Sequence, residues 1–158
     1  MNRLKLRAVI MAVFVFYSVL LSYLLFFADY YGRSFNLFYS GYYENLREYI
    51  SQNINIIPFS TVALYIRGYM SGAVAIYPLV LNLIGNYAAF MPLGFFIPYF
   101  FVKLRRPLYF TIFIVCLIFV VEILQLIMMT GVCDIDDIIL NVSGAGCVFI
   151  ICNKIFIK

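Results

Sequence analysis

Long apolar runs separated by short polar segments set the pattern of this chain. Ala8 to Ala28 contains no charged residue, and neither does Leu79 to Val102, which carries Pro92, Gly94 and Pro98 in its second half. Pro107 to Met129 holds one charge, Glu122. Ile138 to Ile157 also holds one, Lys154, close enough to the end for its ammonium to reach the interface. A helix needs roughly 20 apolar residues to cross the hydrocarbon core. The pattern therefore predicts four transmembrane helices, at about 8–28, 79–102, 107–129 and 138–157. The expected fold is all-α, an integral membrane bundle forming a single domain over 1–158, with a long extracytoplasmic loop at 29–78.

That loop is rich in structure signals. Tyr30, Tyr31, Phe35, Phe38, Tyr39, Tyr42, Tyr43 and Tyr49 are ring types that favour the headgroup level. The polar stretch Glu44 to Asn55 predicts a helix ending before Pro58. Thr61 to Tyr77 is apolar but carries Arg67, Gly68 and Gly72, and Pro78 leaves no room for a turn before the next span. It reads as an interfacial or re-entrant segment rather than a fifth crossing. The first apolar run follows Arg3, Lys5 and Arg7, as a signal peptide would. Its length and the lack of a small-x-small site around Phe26 to Asp29 predict an uncleaved helix instead.

Composition agrees with a membrane protein: 66% of the 158 residues are hydrophobic and 11% charged, whereas soluble domains carry roughly 25% charged residues. The net charge of +4 is spread in small groups between apolar runs, which is a pattern of membrane orientation and not of nucleic-acid binding. With the N-terminus inside, eight Lys and Arg (residues 3, 5, 7, 103, 105, 106, 154 and 158) face the cytoplasm and three (33, 47 and 67) face out. Both termini are then cytoplasmic and the protein lies in the cell membrane. All acids except Glu122 fall on the outer side.

The four cysteines match no zinc spacing, and three of them lie within apolar runs. There is no histidine, which excludes imidazole catalysis, Ser-His-Asp triads and His-ligated zinc. No metal or cofactor is expected.

Depth is the most informative signal. Asn82 and Asn86 lie one turn apart in the outer half of the second span. Glu122 and Gln125, three apart, lie roughly 7–12 Å beneath the outer end of the third. Asp134, Asp137 and Asn141 form one helical stripe at the start of the fourth, with Asp136 turned away from it. Three spans thus place carboxylates and amides in the same leaflet, where ionisable groups are costly unless they face partners or a watery cavity. Residue by residue there are plainer roles: interhelical hydrogen bonding for the asparagines, an N-cap for Asp134, close packing for Gly144, Ala145 and Gly146. For Glu122 one such role is a carboxyl bonded to Asn86 that fixes helix register.

The same residues carry a resemblance. Asn82-Leu-Ile-Gly-Asn86 with Phe90-Met-Pro92-Leu-Gly94-Phe, then Glu122-Ile-Leu-Gln125, then Asp134-Ile-Asp136-Asp137-Ile-Ile-Leu-Asn141-Val-Ser-Gly144 resemble the VanZ-like family of bacterial membrane proteins. Asn55-Ile-Ile-Pro58-Phe59 is similar to that family's N-x-x-P-F element. The resemblance runs from about Asn55 to Gly146. It implies a multi-helix protein of the Gram-positive cell envelope, associated with reduced susceptibility to teicoplanin-type glycopeptides. It maps the family's polar signature onto Asn86, Glu122, Gln125, Asp136, Asp137 and Asn141. Many members carry an Arg before the acidic cluster, where this chain has Gly131-Val132-Cys133.

Three functions remain open. The polar residues form an outward-facing pocket that binds or moves an envelope lipid, a cell-wall precursor or a lipoglycopeptide. Alternatively they specify packing in an accessory subunit. As a third reading, Glu122, Asp136 and Asp137 serve an enzyme acting on lipid headgroups, as acid–base groups or as ligands for Mg²⁺ or Ca²⁺. The absence of His and of a nucleophile motif weighs against the third.

Overall fold

The structure, a computed structural model, describes residues 2–27, 42–73 and 75–156. The loop residues Asp29 to Tyr39, and with them the expected ring belt there, fall outside the described residues. In chain order the elements are α1 (Arg3–Phe26), α2 (Tyr42–Gln52), β1 (Ile54–Asn55), α3 (Ser60–Met70), α4 (Ile76–Ala89), α5 (Leu93–Phe100), a 3₁₀ turn (Val102–Arg105), α6 (Pro107–Ile127), β2 (Cys133–Asp134) and α7 (Ile135–Phe156). Among the described residues four stretches are long and apolar enough to cross a membrane: Arg3–Phe26, Val80–Phe100, Pro107–Ile127 and Ile135–Lys154. These are the four predicted spans, with ends shifted by a few residues.

The first span begins earlier than its apolar run because Arg3, Lys5 and Arg7 continue the helix, which Asn2 caps by accepting from the Leu4 N–H. The second span is two helices. Pro92 lacks an N–H, and the chain turns through Phe90 to Pro92 on short-range bonds such as Leu93 N to Phe90 O, 3.1 Å. That break leaves the Ala89 carbonyl without its helical donor. The Tyr17 hydroxyl of α1 donates to it at 2.6 Å, which satisfies a group that lipid could not.

α7 packs against α4, α5 and α6. Glycine permits its closest approaches: a Cβ at Gly144 would collide with the Tyr87 backbone, and one at Gly94 with the backbone of Ala145 and Phe149. Around them Ile114 and Ile118 are fully enclosed, and Phe110 stacks on Phe149 with centroids 4.0 Å apart. Nearer the end that carries Lys103, Arg105 and Arg106, Phe14 packs on Phe96 and Phe100. That is the basic end of the bundle, and the end at Phe26, Ile127 and Ile135 is the acidic end. Outward-facing residues such as Phe16, Leu108 and Ile150 are apolar and exposed, as lipid requires.

At the acidic end α6 closes with Met129 at φ 54°, Thr130 N bonding to Gln125 O and Met129 N to Leu126 O. This is a Schellman cap with methionine where glycine is usual. The linker after it is tied to α2: Tyr49 Oη donates to Gly131 O at 3.0 Å, and Cys133 N to Asn53 O at 3.0 Å. β1 and β2 then pair in parallel, Ile54 with Cys133 and Asn55 with Asp134. α2 ends at Gln52, within the predicted polar helix. α3 is 11 residues long, about 16 Å, far short of a 30 Å crossing.

Candidate functional site

Three helices each present a pair of polar side chains at helical spacing, and the pairs meet. Asn82 and Asn86 of α4, Glu122 and Gln125 of α6, and Asp137 and Asn141 of α7 all line one cavity of about 480 Å³. Leu21, Leu24 and Leu25 of α1 and Leu81 of α4 supply apolar wall, and Tyr65 of α3 joins the lining. Glu122 lies five residues before the end of α6 and Asn141 six after the start of α7, which puts both about 8 Å inside the acidic end. Glu122 and Asn141 are each 3% exposed.

Several of these groups hold the helices together. The Asn86 side-chain amide donates to Asp137 Oδ1, linking α4 to α7. Gln125 Nε2 donates to Leu25 O, a carbonyl of the last turn of α1, at 2.9 Å. The side-chain oxygens of Asn82 and Asn141 are buried and have no hydrogen-bond partner among the described residues. Buried acceptors of this kind are costly unless something occupies the space beside them.

Asp134 and Asp136 do not line the cavity, which corrects the expectation that all eight polar residues share one pocket. α7 starts at Ile135, so Asp134 stands before the helix instead of heading the stripe of Asp137 and Asn141. It caps α7 by accepting from Asp136 N at 2.8 Å, the plainer role. Its carboxylate also accepts from Asn55 Nδ2, at 3.2 Å to each oxygen, and from the Thr61 hydroxyl. Asp136 points the other way, as helical phase implied. It accepts the backbone N–H groups of Phe59, of Thr61 at 3.0 Å and of Val62 at 3.1 Å. Those are first-turn donors of α3 with no helical partner, so Asp136 caps α3 from another part of the chain. Phe59, at φ 63°, sits in the left-handed region as the N-cap residue of α3.

The N-x-x-P-F element thus forms a clasp. Asn55 holds Ser60, Thr61 and Asp134 together while Asp136 binds the start of α3. The resemblance marked Asn55 to Phe59 but gave those residues no task. Tyr17, Thr61 and Tyr65 were missed altogether, and only the rule that a tyrosine hydroxyl in an apolar span needs an acceptor could have singled out Tyr17.

Cys133 lies beside the clasp, and burial, then the charges of Glu122 and Asp134, push its thiol above the ordinary range. Among the described residues no group of three or more Cys, Asp or Glu side chains is placed to hold a metal ion. Two larger grooves, of about 870 and 660 Å³, open toward the basic end, one over Val102 to Cys116 and one between α6 and α7. Both are mostly apolar and suit acyl chains more than chemistry.

No curated protein and no solved structure matches this chain. The sequence model of one family, VanZ/LLP1, does match, over residues 14–157. That range takes in the second half of the first span, the other three spans and all eight polar residues, and the chain belongs to the VanZ/LLP1 family.

Proposed function

We propose that this protein binds an envelope lipid or a lipid-linked cell-wall precursor in the chamber between α1, α4, α6 and α7, and holds or moves it there. The observation that carries the reading is the chamber itself: 480 Å³ of space with a polar floor and a leucine wall. An amphiphile needs both surfaces, one for its headgroup and one for its tail. Intramembrane carboxyls gathered around a cavity are rare except where something polar passes or binds.

In this reading the acidic end faces outward, because the Lys and Arg residues cluster at the other end. The chamber then opens in the leaflet where cell-wall precursors are used and where teicoplanin-type glycopeptides act. Membership of the VanZ/LLP1 family supports an association with resistance to those antibiotics.

The test is expression in a susceptible Gram-positive host. The wild type should lower teicoplanin susceptibility, and Glu122→Gln, at equal protein level, should lose the effect. Full resistance from Glu122→Gln, with no binding of lipid-linked precursor by either protein, would sink the proposal.

A further inference from the structure

We infer that the groove along α6 at the basic end is a binding site for an anionic glycerophospholipid. Its phosphate is held by Lys103 and Arg106, and one acyl chain lies below them. The site is separate from the chamber, and its fate does not depend on what the chamber binds.

The groove measures about 870 Å³. Tyr109, Ile112, Phe113 and Cys116 line it at i, i+3, i+4 and i+7, so one face of α6 forms its length. From Tyr109 to Cys116 that face runs about 10 Å deeper into the span. All four side chains are exposed. On a membrane-spanning helix such a face meets acyl chains.

Lys103, on the 3₁₀ turn, and Arg106, the N-cap residue of α6, stand at the head of this strip. Both are exposed, and among the described residues neither forms an ion pair. The Arg106 guanidinium carbon lies 5.9 Å from the centre of the Tyr109 ring, a cation–π contact that keeps the charge beside the apolar strip. Along α6 the nearest acid is Glu122, sixteen residues past Arg106 and so about 24 Å away.

Two cations without a counter-ion, above an apolar channel, call for an occupant with a negative end and a hydrocarbon end. A soluble anion supplies only the first. A zwitterionic lipid brings its own ammonium, which offsets the phosphate that Lys103 and Arg106 would bind. A second copy of this chain, inserted in the same direction, would bring its own basic end alongside, like charge against like. An anionic phospholipid satisfies both surfaces, as basic clusters at a membrane surface attract acidic headgroups. The groove between α6 and α7 offers one cation, Lys154, and has no such pair.

The chain has no Trp, so Phe113→Trp places a single indole reporter in the groove. Full-length protein is placed in phosphatidylcholine nanodiscs doped with rising amounts of acyl-brominated phosphatidylglycerol or acyl-brominated phosphatidylcholine, which quench an indole on contact. Val9→Trp is the control. Like Phe113, Val9 lies six residues from the basic end of its helix, and it follows Arg3, Lys5 and Arg7, but it is outside the groove. Brominated phosphatidylglycerol should quench Phe113→Trp at about tenfold lower content than brominated phosphatidylcholine, and Val9→Trp at no more than about twofold lower. Adding Lys103→Gln or Arg106→Gln should each cut the tenfold ratio to about threefold or less. Adding Arg3→Gln, the same change of charge, should leave it intact. An equal preference at both reporters would mean a general basic belt and would overturn the inference, as would a preference that survives loss of both cations. No preference at Phe113→Trp would overturn it too, by reducing the groove to ordinary lipid contact. Shielding from both lipids in a dimeric particle would overturn it in favour of a second copy. Ile112→Trp serves as the reporter if Phe113→Trp does not fold, and thermal melting checks each variant.

Discussion

The hydroxyl of Tyr17 reaches the carbonyl of Ala89, 2.6 Å away, at the point where the second span breaks. Without that bond the break would leave a backbone acceptor in an apolar interior, with no water to satisfy it. The chamber begins at this break: Ala89 and Phe90 line its deep end. Tyr17→Phe should therefore destabilise the protein by about 1–3 kcal/mol, the cost of a buried group left unpaired. Thermal unfolding in mild detergent checks this, and a variant as stable as the wild type would show that the carbonyl finds another donor.

Gly144 and Gly146 make a pair of opposite expectations. A Cβ at Gly144 collides with the backbone of Tyr87, which cannot move aside as a side chain could, whereas a Cβ at Gly146 meets nothing within 4 Å. Gly144→Ala should push α4 from α7 and cost about 1–3 kcal/mol or more. Gly146→Ala should be neutral or mildly stabilising, since alanine favours a helix over glycine by up to about 1 kcal/mol. Equal melting temperatures for the two variants would contradict the packing described here.

The four spans and the three chamber pairs were legible because both depend on counting. Residues 82 and 86, 122 and 125, 137 and 141 share faces by helical period, and their depth follows from where each apolar run ends. Asp134 and Asp136 were not legible in the same way. Their roles turn on where α7 starts and on a clasp with Asn55 to Val62, more than 70 residues away in the chain. The clasp includes a two-residue parallel pairing too short to have a sequence signature. The break in the second span was marked by Pro92, but nothing local named Tyr17 as the residue that completes it.

The clasp predicts a local loosening distinct from global unfolding. Asp136 offers two oxygens to the N–H groups of Phe59, Thr61 and Val62. Asp136→Asn replaces one acceptor oxygen by a donor and removes the charge that suits the start of a helix. The amides of 59, 61 and 62 should exchange with solvent at least about tenfold faster, as the loss of a charge-assisted bond implies. Amides in the middle of α6 should be unchanged. Hydrogen exchange read by mass spectrometry decides it, and uniform acceleration throughout the bundle would mean that Asp136 supports the whole fold and not α3 alone.

Cys133 offers a probe of both orientation and electrostatics. Its thiol is raised by burial and by the nearby charges of Glu122 and Asp134. The thiolate, not the thiol, reacts with maleimides. A raised value leaves less thiolate at neutral pH, so labelling should be slower than for a free thiol and should keep climbing as the pH passes 9. In a chain whose other three cysteines are replaced by serine or alanine, the proposed orientation, with the acidic end outside, predicts that a membrane-impermeant maleimide added to intact cells modifies Cys133. Glu122→Gln removes one of the charges that raise the thiol, so at a fixed mildly alkaline pH that variant should label faster. Labelling only after the membrane is opened would reverse the orientation, and a rate indifferent to Glu122→Gln would mean that burial alone sets the thiol's reactivity.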